Sequence, residues 1–156
     1  MSIKLSAEKI FKMAMEIEAN GAQFYKDAAR KVDGKAEKEF LISLARMEEE
    51  HGTLFGDILG LFNDDGSDSG DDHDDALIYL KALADTKMFF KTDPPGSTME
   101  EILHSAIKAE QDSVIFYLGL MDMLSDQKDK RRVDAIIREE MEHIKQLSLK
   151  AAELGI

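Results

Sequence analysis

Two short stretches of this chain carry the same pair of metal-competent side chains. Glu48 and His51 lie three residues apart, and so do Glu140 and His143. Each pair has a matching glutamate upstream: Glu18 precedes Glu48 by 30 residues, and Glu110 precedes Glu140 by 30. Carboxylate and imidazole together suit iron, manganese or zinc. A lone Glu-x-x-His is an ordinary solvated pair on a helix. Two of them in one register, each with its own glutamate, ask for a common cause.

That cause is an internal repeat. Displacing the chain by 92 residues superimposes Ile10 on Ile102, Ala14 on Ala106, Glu18 on Glu110 and Phe24-Tyr25 on Phe116-Tyr117. The same shift, without a gap, brings Glu48 onto Glu140, Glu50 onto Glu142 and His51 onto His143. Helical spacing puts these groups on apolar faces. Glu18 is in line with Ala14, Gly21 and Tyr25, and Glu110 with Ala106, Val114 and Tyr117. Glu48 and His51 are in line with Leu44 and Phe55, and Glu140 and His143 with Ile136 and Leu147.

Six ionisable groups are thus expected in a core. An uncompensated carboxylate there costs about several kcal/mol, so it must be paired, protonated or metal-bound. Two divalent ions offset four carboxylates and leave both histidines neutral as nitrogen ligands. Without metal the four glutamates repel one another. Chelation should then lower the melting temperature, and Glu110→Gln should relieve part of the repulsion.

Tyr25 and Tyr117 each follow their glutamate by seven residues. Core packing is the simplest account of both; a hydrogen bond to a ligand, or a redox role beside the metals, is the alternative. His73 and His104 have no such partners and read as surface residues.

The elements that must position these groups can be outlined. A first helix capped by Ser6 runs to Val32, and a second from Lys35 to Phe62. Asn63 to Asp75 is an acidic linker with seven aspartates. It does not fit an EF-hand: with Gly70 in the glycine position, the bidentate acid would fall on Ala76. A short helix follows from Asp75 to Lys91. Ser97-Thr98-Met99-Glu100 has the form of a capping box, opening a third main helix to Leu124. A fourth runs from Lys130 to Leu154. The whole is an all-α, antiparallel four-helix bundle and a single domain over 1–156, built of two repeated helix pairs (6–62 and 97–154) with a short extra helix in the crossover (63–96).

Composition excludes several functions. Twenty basic against 32 acidic residues give a net charge of −12, which disfavours nucleic acid and anionic membrane as partners. The absence of cysteine removes disulfides, thiol catalysis and Cys-ligated clusters. Met1–Lys12 has no apolar signal core, and no run is long enough to span a bilayer. A soluble, cytoplasmic protein is the expectation.

The stretches ANGAQFY after Glu18, EEEHGTLF from Glu48, EQDSVIFY from Glu110 and EMEHIKQL from Glu140 resemble the rubrerythrin-like branch of the ferritin-like diiron-carboxylate proteins. The resemblance covers all four main helices. It implies two iron ions per chain, with manganese or zinc as alternatives, held by Glu18, Glu48, His51, Glu110, Glu140 and His143, one or more glutamates bridging. It also implies a diiron oxidoreductase that reduces hydrogen peroxide or O₂ under oxidative stress. Two departures stand out. Full rubrerythrins carry a Cys-rich rubredoxin domain, absent here, so electrons should come from a separate donor protein. They also carry a further glutamate one turn after the third-helix ligand, where this chain has Ser113. Ferrous-iron oxidation, a dimanganese catalase-type site and a metal sensor are the alternative functions. A homodimer is expected, with exchange of helices three and four between copies as one arrangement.

Overall fold

The computed structural model describes residues 7–64, 78–80, 82–83 and 96–156. Four long helices account for nearly all of them: α1 (Ala7–Lys31), α2 (Lys35–Asp64), α3 (Met99–Met123) and α4 (Gln127–Leu154). Residues 78–80 and 82–83 are helical, within the expected short helix. The Ser6 cap, His73 and most of the acidic linker lie outside the described residues.

Local chemistry sets the helix ends. The Thr98 hydroxyl accepts from the Glu101 N–H at 3.2 Å, and the Glu101 carboxylate accepts from the Ser97 N–H at 3.1 Å. The capping residues therefore sit one position later than the sequence suggests. Asp126 accepts from the N–H groups of Lys128 (2.8 Å) and Asp129 (3.1 Å), satisfying two donors that a new helix leaves free. That cap starts α4 at Gln127, ahead of the expected Lys130. Gly155 closes α4 in the left-handed conformation (φ 73°), where glycine has no side chain to clash.

Contacts across the bundle fix its directions. Position 18 meets 117 and position 25 meets 110, so α1 and α3 run antiparallel. Position 51 meets 140 and 48 meets 143, so α2 and α4 do too. Three residues link α1 to α2 and three link α3 to α4, which makes each pair an antiparallel hairpin. Consequently α2 and α3 point the same way, and the end of α2 and the start of α3 lie at opposite ends of the bundle.

The core is layered. One apolar cluster holds Phe11, Ile17, Phe55, Ile58, Phe116, Leu120 and Ile136. A second holds Phe24, Ala28, Leu41, Leu44, Ile102, Leu103 and Leu147. Every long helix contributes to both. The residue numbers between them on each helix are those of the six polar groups, so a polar layer is held between two apolar ones. Burying each large apolar side chain contributes about 1.5–3 kcal/mol, which is what holds the polar groups in place. Leu80 from the crossover is fully buried in the first cluster. Among the described residues, no helix is long and apolar enough to cross a membrane.

Candidate metal centre

All six residues singled out by the repeat converge in the polar layer. Glu18, Glu48, His51, Glu110, Glu140 and His143 are each at most 3% exposed. They come from four helices of one chain. The donor atoms fall into two groups of four, each group lying within 4.8 Å of one another: Glu18, Glu48, His51 and Glu140, and Glu48, Glu110, Glu140 and His143. Glu48 and Glu140 belong to both. Each helix pair thus gives three donors to one group and lends one to the other.

The geometry is close but not closed. The His51 Nδ1 lies 2.7 Å from Glu140 Oε1 and 3.6 Å from Glu18 Oε2. The His143 Nδ1 lies 3.2 Å from Glu48 Oε1, 3.3 Å from Glu140 Oε2 and 3.4 Å from Glu110 Oε1. The two imidazole rings stack with centroids 5.7 Å apart. One oxygen on each glutamate and both nitrogens of His143 are buried without a hydrogen-bond partner among the described residues. Buried polar atoms are rarely left so. Six in one layer, all on nitrogen or carboxylate donors, fit a metal centre.

Burial pushes Glu48 well above the usual carboxylate range, and the charges of Glu18, Glu110 and Glu140 push it further. Burial likewise raises Glu140, with Glu18 and Glu110 adding to it. Burial also acts to raise Glu110, but the adjoining Glu140 and His143 and the hydrogen bond from Tyr25 outweigh it, and this carboxyl ends below its ordinary value. Burial opposes charge on both histidines. The hydrogen-bonded Glu140 carboxylate and the nearby Glu18 nevertheless take His51 up to about 11, and the nearby Glu110 and Glu140 carboxylates take His143 up to about 9. For the two shared glutamates, burial and neighbouring charge therefore both favour the protonated form.

Both tyrosines touch the centre. Tyr25 donates its hydroxyl to Glu110 Oε1 at 2.6 Å, and Tyr117 donates to Glu18 Oε1 at 2.5 Å. Each ring belongs to a different apolar layer, and Phe55 packs on Tyr117 with centroids 4.9 Å apart. Packing and hydrogen bonding are combined in one side chain, where the sequence offered them as alternatives.

Sequence reasoning missed Glu139. Its Oε2 lies 2.6 Å from Nε2 of His51, on the side away from the layer. The available signal was an acid directly before Glu140 where the repeat has Met47. Ser113 is buried and donates to the Ala109 carbonyl at 2.9 Å, so its hydroxyl is satisfied within α3. Asp112, also buried, is held by Lys108 and belongs to neither donor group. His104 is exposed.

The rubrerythrin family matches residues 9–150. Among solved structures, a candidate ferritin-like diiron-carboxylate protein from Thermotoga maritima is similar over 100% of both chains, with 25% identity and a TM-score of 0.72. A hypothetical protein from Pyrococcus furiosus is similar over 93% of this chain and 87% of its own, with 22% identity and a TM-score of 0.63. No curated protein matches the sequence.

Proposed function

Since this chain belongs to the rubrerythrin family, we propose that it is a non-haem diiron oxidoreductase that reduces hydrogen peroxide or O₂ with electrons from a separate donor protein. One observation carries this reading. Two groups of four donors share Glu48 and Glu140, and six polar atoms of these residues are buried without a hydrogen-bond partner among the described residues. On this reading Glu18, Glu48, His51 and Glu140 would hold one ion, and Glu48, Glu110, Glu140 and His143 would hold the other. Bound there, iron would pass the donor's electrons to the oxidant and offset negative charge on its oxygen.

The chain's own residues do the rest. Tyr25 and Tyr117 hold Glu110 and Glu18 by their Oε1 atoms and so leave Oε2 free to bind. The two apolar layers keep bulk water away from both sides. Burial disfavours bare charge on Glu48 and Glu140, and a bound cation would offset that charge. These residues include no cysteine for a rubredoxin-type iron site, which supports the proposal of a separate donor. Because all six donors lie on one chain, a homodimer needs no exchange of helices to complete the centre. Exchange of α3 and α4 between copies would keep the same donor set.

Metal analysis with an optical spectrum of the oxidised protein tests the centre, and peroxide consumption with a supplied reductant tests the reaction. We expect about two irons per chain, as in the family's ligand scheme, and consumption that requires the reductant. Oxygen release from peroxide without reductant would point to the dimanganese alternative. Uptake of ferrous iron into a many-copy shell would point to storage. A protein that binds metal but turns over neither oxidant would be a sensor.

A further inference from the structure

The repeat gives the two groups matching donors, yet it does not give the two histidines matching surroundings. Nε2 of His51 meets the Glu139 carboxylate at 2.6 Å. Nε2 of His143 is buried and has no hydrogen-bond partner among the described residues. The 92-residue shift that carries His143 onto His51 carries Glu139 onto Met47. A thioether has no charge and is at most a weak acceptor. The half-site around His51 therefore has a carboxylate behind its imidazole, and the half-site around His143 has none.

A carboxylate in that place does two things. It keeps the remaining ring proton on Nε2, which leaves Nδ1 as the nitrogen facing Glu18 and Glu140. It also fixes the ring plane, so less freedom is lost when a cation binds. Loss of such a partner typically weakens metal binding about 10–100-fold. Because the Glu139 side chain is 51% exposed, this support comes from the protein surface and not from the packed core.

We infer that Glu139 is a positioning residue that makes the two metal positions unequal, the one served by His51 binding the more tightly. The inference rests on the dinuclear reading above and concerns binding, not turnover.

The test is a titration of the metal-free protein with cobalt(II), followed by visible absorption and by competition with a chromophoric chelator. Wild type should bind in two steps whose affinities differ about 10–100-fold. Glu139→Ala should weaken the first step by about that factor and leave the second in place, while Glu139→Asp should restore part of the loss. The position is half exposed, so the variant should fold, and a thermal melt in chelator checks that. Repulsion between two bound cations can also separate two steps, but such a gap survives the substitution. A gap unchanged in Glu139→Ala, two equal steps in wild type, or equal weakening of both steps would each overturn the inference while leaving the dinuclear centre standing. Absence of any cobalt binding by wild type would overturn the dinuclear reading itself.

Discussion

The Tyr25 hydroxyl reaches Glu110 on α3, at 2.6 Å, and not Glu18 on its own helix. Seven residues of α-helix span about 10 Å, too far for a side chain to reach back along its own axis to an acceptor. The antiparallel partner presents the glutamate instead, and Tyr117 makes the reciprocal bond to Glu18. The two bonds tie the helix pairs together on opposite sides of the polar layer.

Tyr25→Phe should therefore leave a buried carboxylate oxygen without its donor. We expect a loss of about 1–3 kcal/mol in the metal-free protein, read as a fall of about 2–4 °C in melting temperature per kcal/mol for a chain of this size. Metal affinity should fall as well, because Glu110 loses its orienting bond. An unchanged melt and unchanged affinity would show that the bond contributes nothing.

The metal-free protein should be more stable near about pH 6 than near about pH 9. Glu48 and Glu140 lie above their unfolded values, so their contribution falls as pH rises. His51, at about 11, and His143, at about 9, contribute fully below their unfolded value of 6.5 and lose that contribution as pH climbs through the folded values. Glu110 has the opposite sign, but its loss comes only as pH falls through a value below 4.5. Melts in chelator across this range should decline steadily; a flat profile would contradict the buried cluster.

Charge relief is located differently from what the repeat alone suggests. Glu110→Gln looks like the substitution that removes repulsion, since the four glutamates are alike in sequence. In the structure Glu110 is the carboxylate stabilised by its neighbours, and Glu48 the one pushed up. Glu110→Gln should cost the metal-free protein about 1–3 kcal/mol. Glu48→Gln should be close to neutral at pH 7 and raise the melting temperature at alkaline pH. Both should weaken metal binding. Chelator melts of the two variants at two pH values separate the cases.

Metal loading should release protons, because the cations displace those held on Glu48 and Glu140 and between each histidine and its carboxylates. Apparent affinity should then rise with pH. Calorimetry in two buffers of different ionisation enthalpy counts the protons; equal heats in both would mean that none are released.

Gly119 marks where the crossover docks on α3. A Cβ there would lie 2.8 Å from Leu80 Cδ2 and from Tyr79 Cε1. Gly119→Ala should cost about 1–3 kcal/mol from the overpacking, against a gain of about 1 kcal/mol in helix propensity. The melting temperature should drop while metal stoichiometry stays the same, since neither donor group includes Tyr79, Leu80 or Gly119.

The repeat register made the helix pairs and the six central residues legible, because the period of a helix identifies the face on which a residue lies. It does not identify which residue on the next helix that face meets. The crossed tyrosine bonds, the contact of Glu139 with His51 and the sharing of Glu48 and Glu140 all depend on the offset between neighbouring helices, and no local pattern encodes that offset. The caps at Thr98 and Asp126 were missed by one to three residues for a simpler reason. Ser97, Thr98, Ser125 and Asp126 are all competent caps, and tertiary packing selects among them.

The three-plus-one division of donors has a consequence for ancestry. A hairpin that gives three donors to one position and shares one of them with the other is self-complementary. Two identical copies meeting about a two-fold axis would complete both positions at once, and one copy alone would complete neither. The present chain holds two such hairpins, linked by the crossover. Identical copies must change together, whereas joined copies can drift apart one residue at a time. Met47 against Glu139 and Gly21 against Ser113 are differences of this kind. A fused chain can give its two positions different neighbours; a strict two-fold dimer of hairpins cannot.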